Sequence, residues 1–182
     1  MSHIKSIMLN THDLLRQDED LLRLLYYDPT NYTTQPHPLS DELPNVLDPQ
    51  VGELDADGDK NDEYWARIWN IIDKHILLIS KADDMENNRL CRLYVYAGKT
   101  RPTYGNVSAA LANQEIIIDV FVHTSYNIDS RMDEINDRLN QLLVGASGIG
   151  MGKVDIYGGY EFSAPKEYTA YRNIYEIART RK

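Results

Sequence analysis

The stretch that decides the fold is residues 115–145, which read EIIIDVFVHTSYNIDSRMDEINDRLNQLLVG. Its first nine residues place apolar side chains at every second position, and this alternation predicts a β-strand over 115–123. From Ser130 the apolar spacing changes to three and four residues, which predicts an amphipathic helix capped by Ser130 and ended by Gly145. The strand and the helix are therefore expected to bury their apolar faces together. The apolar face of the helix consists of Met132, Ile135, Leu139, Leu142 and Leu143.

Further strand patterns lie on both sides of this unit. Residues 89–97 alternate apolar and polar side chains and are expected to pair antiparallel with 115–123, across a turn-rich stretch at 98–106. Other predicted strands cover residues 75–80, 154–157, 160–163 and 171–179. Because single helices interrupt the strands and no repeat is found, the sequence predicts an α+β fold with a mostly antiparallel sheet of about four to five strands.

Two helices are predicted before the sheet. Apolar residues recur at helical spacing over residues 3–26, where Asp28-Pro29 ends the pattern. A second helix begins at Asn61 or Asp62, either of which can cap it. Its predicted core stripe consists of Trp65, Ile68, Trp69 and Ile72.

Residues 28–63 separate these helices and concentrate the charge of the chain. They hold five of the seven prolines and ten acidic residues against the single base Lys60, while the remainder has 18 acids and 18 bases. We interpret 28–63 as an acidic, proline-rich insertion or arm within a single domain, 1–182, and expect contacts with a neighbouring subunit or partner to order it. Its predicted anchor points are Tyr32, Leu39, Leu43, Val46 and Leu47.

Composition also excludes several classes of protein. The longest apolar runs are far shorter than the ~20 residues that cross a membrane, and the first residues do not form a secretory signal. The chain is therefore expected in a cytoplasm, without membrane contact. Cys91 is the single cysteine, which excludes an internal disulfide and a cysteine-based zinc cage. The neutral remainder has no basic stripe to neutralise phosphates, so sequence-specific nucleic acid binding is not expected.

One acidic motif, Asp55-Ala56-Asp57-Gly58-Asp59, resembles the start of a calcium loop. A calcium loop continues with glycine at its sixth position and glutamate at its twelfth, where this chain has Lys60 and Ala66. We therefore interpret the motif as a solvated loop and expect no metal site.

A second motif, GASGIGMGK at 145–153, superficially resembles a phosphate-binding loop. Its glycine spacing differs from that of a P-loop, Val154 replaces the required hydroxyl residue, and the motif follows a predicted helix. We interpret it as a connection from helix to strand and expect no cofactor.

Catalytic groups are also not indicated. Cys91 lies in a predicted strand with its side chain on the apolar face, where a thiol is inert. Asp119 and His123 share one face of a strand and could form an acid/base pair, but they are better explained as polar ends of a half-exposed strand. The sequence therefore predicts a protein that is not an enzyme.

Tyrosines suggest contacts with other chains. The sequence has thirteen tyrosines against two phenylalanines, and tyrosine combines a large contact area with a hydroxyl suited to a wet interface. The alternative is that they line a small core whose edge meets water. The exposed, basic stretch at 98–106 is a candidate contact with a neighbour through Lys99, Arg101 and Tyr104.

The order of these elements resembles the tail terminator and tail completion proteins of tailed phages. The resemblance rests on residues 13–27, on 115–122, on 131–139 and on 171–177, and covers about two-thirds of the chain. It implies a structural virion protein of the neck, without catalytic residues, which forms a homo-oligomeric ring, usually a hexamer. Its partners would be the portal or connector proteins and the tail tube protein, with DNA only passing through the channel, in a particle assembled in the host cytoplasm. The acidic insertion and the helix after it depart from the family pattern.

Three functions therefore remain open. The first is the ring of the phage neck. The second is a small cytoplasmic adaptor module that binds a protein without catalysis, which a stable monomer with one ligand would favour. The third is an enzyme, which a deep pocket with two coupled titratable groups would favour.

Overall fold

The computed structural model describes residues 3–29, 36–80, 89–102 and 111–180. Four α-helices are present in these ranges: α1 (His3–Arg16), α2 (Glu19–Tyr26), α3 (Asp62–His75) and α4 (Arg131–Leu143). The strands are β1 (Ile76–Leu77), β2 (Cys91–Pro102), β3 (Leu111–His123), β4 (Met151–Glu161) and β5 (Tyr168–Thr180). A 3₁₀ helix, Thr124–Asp129, connects β3 to α4. No helix in the described ranges has the length and apolar character needed to span a membrane.

The strands form one five-stranded sheet in the order β1-β2-β3-β5-β4. The β1/β2 pair is parallel and the other three pairs are antiparallel. This confirms the α+β class and the antiparallel pairing of β2 with β3. It corrects the strand limits, because β2 continues through residues 98–102 instead of turning at Gly98. Residues 151–161 are likewise one strand, in which the register shifts between Ile156 and Gly158.

The core lies between the helices and one face of the sheet. Ile116, Ile118 and Val120 of β3 are fully buried there with Ile135 and Leu139 of α4. The alternation in β3 and the helical spacing in α4 thus turn both apolar faces toward the same space, as the sequence predicts. Gly145 ends α4 with a φ of +82°, a conformation that favours glycine. Ser130 precedes α4 as predicted, but its side chain does not cap the helix.

The single predicted N-terminal helix is two helices. The Asp18 carboxylate accepts a hydrogen bond from the Leu21 N–H at 2.8 Å and so begins α2. The same carboxylate pairs with Arg138 of α4. The apolar spacing continues across Asp18, where α1 has ended and α2 begins. The spacing alone therefore did not show that the chain forms two helices here.

The acidic segment packs on its own chain, contrary to our expectation. Arg23 of α2 donates to the carbonyls of Ser40 and Leu43. The Glu19 carboxylate accepts hydrogen bonds from the N–H groups of Val46 and Leu47. The described part, 36–63, is therefore held through its backbone by charged side chains of the neighbouring helices of its own chain.

Arg67 of α3 also holds the acidic segment, through hydrogen bonds and an ion pair. It donates to the carbonyls of Val46 and Asp48 and pairs with Glu53 at 2.6 Å. Val46 itself is only 4% exposed and belongs to the core. As an anchor for a partner Val46 is therefore wrong, because its own chain already covers it.

Candidate interaction surface

The sheet has one face that none of the described helices covers, which we call the outer face. Its side chains come from alternate positions of β2 to β5, opposite in parity to those of the core. The apolar cluster on this face contains no helical residue among those described. Most of its side chains are partly exposed, and the cluster consists of Tyr94, Tyr168, Leu77, Tyr96, Phe121 and Ala164.

An ion pair occupies the centre of the outer face. Arg172 of β5 makes two hydrogen bonds to the two Asp119 oxygens of β3, at 2.6 and 2.7 Å. The Tyr96 hydroxyl donates to the same carboxylate at 2.8 Å. Burial, and then this carboxylate, raise the pKa of Tyr96, and the hydrogen bonds to Asp119 raise the pKa of Arg172. Tyr96 thus stays neutral and Arg172 stays positive at neutral pH, and through Asp119 these side chains cross-link three strands.

Aromatic rings surround this pair. The Arg172 guanidinium lies 4.8 Å from the centre of the Phe162 ring and 5.8 Å from that of Tyr160. Phe121 contacts both Tyr94 and Phe162 edge to face, at 5.2 and 5.4 Å. The rings thus pack around an ion pair in which the Asp119 side chain is 4% exposed and the Arg172 side chain is 25% exposed.

A second charged group lies where the long hairpin of β2 and β3 leaves the core. Arg101 pairs with Glu115 at 2.5 Å and with Glu176 at 3.7 Å. Its guanidinium also lies 4.2 Å from the centre of the Tyr157 ring. Arg101, a predicted contact with a neighbour, is thus engaged within its own chain. Lys99, beside it, is exposed.

The outermost strand, β4, is the most open element of the sheet. Among the described strands it pairs with β5 alone. At its start, Lys153 bridges Ser147, and Val154 exchanges backbone hydrogen bonds with Gly145 and Ala146. Val154 is its one buried side chain. Exposed edges that carry apolar side chains readily pair with another chain. The exposed apolar side chains of β4 are Met151, Ile156, Tyr157 and Tyr160.

The other predicted contact residues lie elsewhere. Leu39 is exposed, and Leu43 and Leu47 are partly buried on α2 and α3. Tyr32 and Tyr104 lie outside the described residues. The structure therefore does not gather the predicted contacts into one surface.

The acidic motif at 55–59 and the glycine-rich stretch at 145–153 form a turn and a connection in the structure. Asp55, Asp57 and Asp59 lie in an exposed turn, where the Asp55 carboxylate accepts hydrogen bonds from the N–H groups of the other two. In the described ranges no three His, Cys, Asp or Glu side chains are grouped so that they could hold a metal ion. The glycine-rich stretch connects α4 to β4, and the Asn10 amide donates to the Gly148 carbonyl within it.

The candidate acid/base pair is divided between two networks. Asp119 is 2% exposed and bound to Arg172, while His123 contacts Ser125 at 2.8 Å and Glu167 at 3.7 Å. Both residues are buried, so they do not face water as we expected of polar ends of a half-exposed strand. Burial raises the pKa of the Cys91 thiol to about 12, as expected for an unreactive core cysteine.

Sequence reasoning missed the Asp119–Arg172 pair and placed both tryptophans of α3 in the core. Trp65 and Trp69 are 46% and 41% exposed. The same helix contains a second apolar stripe at equally good spacing, and that stripe is the buried one. It consists of Tyr64, Ile68, Ile71, Ile72 and His75. A comparison of the two stripes favours the second as the one that faces the core, since β-branched residues are fully buried more often than tryptophan.

Comparison with known proteins defines the family. The YomW family model matches residues 18–177. The chain is also 32% identical over 178 residues to the SPbeta prophage-derived uncharacterized protein YomW of Bacillus subtilis (strain 168), and this alignment covers 96% of each chain. This chain belongs to the YomW family, which thus includes a prophage-derived protein.

Proposed function

We propose that this protein is a structural component of the phage neck, a tail terminator or head-tail joining protein that works as a homo-oligomeric ring. A full-length relative derived from a prophage supports a role in a phage particle. The observation that carries the proposal is the outer face of the sheet, which is rich in tyrosine and ends in the open edge of β4. A surface of this kind suits stable contact with other protein subunits.

A ring requires two different surfaces that meet head to tail. The sheet offers them, because among the described strands β4 is outermost on one side, and β1, on the other, pairs with Leu93 and Tyr94 of β2. A neighbour could thus approach either side of the same sheet. In the proposed ring, of about six subunits, the remaining surfaces contact the portal or connector proteins and the tail tube protein, and DNA passes through the channel.

The test is the composition of phage particles from a lysogen that encodes this protein. We expect quantitative mass spectrometry of purified particles to find it in about as many copies as one ring contains. Electron microscopy of particles carrying a labelled chain should place it between head and tail. Absence from particles, or a single copy per particle, would contradict the proposal, whereas a monomer in dilute solution would not, since the ring can require its template.

A further inference from the structure

Another exposed apolar surface among the described residues lies on α3. Asp62, Trp65, Trp69 and Asp73 follow one another at i, i+3, i+7 and i+11, so they lie along one side of the helix. All four are exposed. The two indole rings thus form an aromatic stripe in water with a carboxylate at each end, which we call the α3 stripe.

Neighbouring side chains support the rings without covering them. The Trp65 ring contacts Tyr64 edge to face at 5.0 Å, and the Arg16 guanidinium lies 4.8 Å from the centre of the Trp69 ring. Arg16 is itself paired with Asp13 at 2.8 Å. Tryptophan is the residue most enriched at the energetic centres of interfaces, and two exposed neighbours indicate an interaction site.

The charge around the α3 stripe selects the kind of partner. The loop before α3 and its first turn carry five exposed acids against the single base Lys60, which donates to the Tyr64 hydroxyl. Arg67, in the next turn, is paired with Glu53. An apolar surface in a negative field is complementary to an apolar surface that carries bases. The five acids are Asp55, Asp57, Asp59, Asp62 and Glu63.

We propose that the α3 stripe binds a basic, apolar segment of a different protein. A second copy of this chain fits poorly, because its acids and bases are equal outside residues 28–63. Its densest basic stretch, RTRK at 179–182, has no large apolar side chain to meet the indole rings. This binding goes beyond the proposed ring, whose contacts involve the sheet.

Intrinsic fluorescence tests the proposal directly, because Trp65 and Trp69 are the two tryptophans of the sequence. The probe is an amphipathic leucine/lysine helix of about five turns, added to the full-length protein. We expect the emission to shift to shorter wavelength. A leucine/glutamate helix with the same apolar pattern should leave it unchanged. Equal shifts with both helices would overturn the proposal.

Variants locate the binding on the α3 stripe. The fluorescence anisotropy of a labelled leucine/lysine helix measures its Kd for the protein. We expect Trp65→Ala to raise this Kd about tenfold or more. The double variant Asp62→Asn with Asp73→Asn should also raise it. The matched control, Asp41→Asn with Glu42→Gln, removes two exposed acids from another part of the acidic segment and should have little effect. Full binding by the Asp62/Asp73 variant, with the fold checked by circular dichroism, would contradict the proposal.

Crosslinking in particles identifies the occupant. With p-benzoylphenylalanine at position 65, light should join this chain to a different protein, at a peptide that contains lysine or arginine and large apolar residues. Crosslinks to a second copy, or none from a chain that is present in the particle, would overturn the proposal. If the chain is absent from particles, the neck function fails while the peptide titration still decides this inference.

Discussion

Buried polar side chains join the parts of this molecule at the scale of single residues. Arg131, at the start of α4, is fully buried and donates to the carbonyls of Leu24 and Tyr27 at 2.5 and 2.9 Å, and so satisfies the C-terminal end of α2. It also pairs with Asp129 at 2.7 Å, with neither side chain exposed. One guanidinium thus connects two helices that are far apart in the sequence.

Removing this guanidinium should destabilise the fold. We expect Arg131→Ala to lower the free energy of unfolding by about 3 to 5 kcal/mol, because Asp129 loses its buried partner. Urea denaturation measures the loss. The control is Arg138→Ala on the same helix, whose pair with Asp18 is partly exposed and should contribute about 1 kcal/mol or less. Similar losses for both variants would contradict this account of Arg131.

His75 should make stability depend on pH. Burial lowers its pKa from 6.5 to about 4, and its Nδ1 lies 2.7 Å from the Cys91 carbonyl. The folded state therefore holds the ring neutral while the unfolded chain takes up a proton below pH 6.5. Stability from this residue is complete above pH 6.5 and falls toward pH 4, by up to about 3 kcal/mol.

The measurement is urea denaturation of the wild type and of His75→Asn between pH 4 and pH 8. The Asn amide can still donate to the Cys91 carbonyl but does not titrate, so the variant should lose less stability on acidification. The control, His37→Asn, changes a partly exposed histidine that contacts Glu134 at 2.9 Å. If the free energy of unfolding of His75→Asn falls with pH as steeply as that of the wild type, His75 is not the source of the pH dependence.

Short, well-capped helices fix the geometry at the scale of elements. α2 has eight residues, too few to be stable alone, and it depends on the Asp18 cap and on packing against α3 and α4. α3 begins in a similar way, with the Asn61 side chain accepting hydrogen bonds from the N–H groups of Glu63 and Tyr64. These caps decide where each helix begins and therefore where the chain turns.

The two roles of Asp18 can be separated. Asp18→Asn keeps an oxygen for the cap but removes the charge that pairs with Arg138, whereas Asp18→Ala removes both. We expect thermal or urea unfolding to show a loss of about 1 kcal/mol or more for alanine and a smaller loss for asparagine. Equal losses would mean that the ion pair, and not the cap, is the main contribution.

At the scale of the whole molecule, the helices lie on one side of the sheet and leave the outer face and the β4 edge to other contacts. The negative charge is also concentrated in one place, because the acidic segment packs on α2 and α3, away from the outer face. The molecule therefore offers two different surfaces, the sheet to neighbouring copies in the proposed ring and the α3 stripe to a basic partner.

A charge on the β4 edge should prevent self-association without unfolding the chain. We expect Ile156→Lys, at a residue that is 52% exposed, to leave urea stability nearly unchanged and to lower the copy number in particles. Val144→Lys, at an apolar residue of similar exposure outside the sheet, is the control and should assemble normally. Normal incorporation of the Ile156 variant would remove β4 from the interface.

The sequence by itself determined the fold class, the β2/β3 pair and helix α4, because in these elements a period of two or of 3.6 fixes which side chains face the core. It also located α3 and the acidic segment and limited the cap of α3 to Asn61 or Asp62, of which the structure uses Asn61. It placed Ile68 and Ile72 of α3 in the core correctly but Trp65 and Trp69 wrongly, since a stripe that joins the two isoleucines to Tyr64, Ile71 and His75 fits the helical period equally well. Periodicity identifies possible faces, and the neighbouring elements choose between them.

Only the tertiary structure brought together residues that are distant in sequence. Asp119 meets Arg172 because β3 pairs with β5, and Arg67 holds Val46 and Asp48 because α3 lies beside the acidic segment. Composition correctly showed that residues 28–63 have few apolar side chains, but it did not show that charged side chains of α2 and α3 would hold the backbone of the described part, 36–63. Those hydrogen bonds depend on three-dimensional position, and no local pattern in the sequence encodes it.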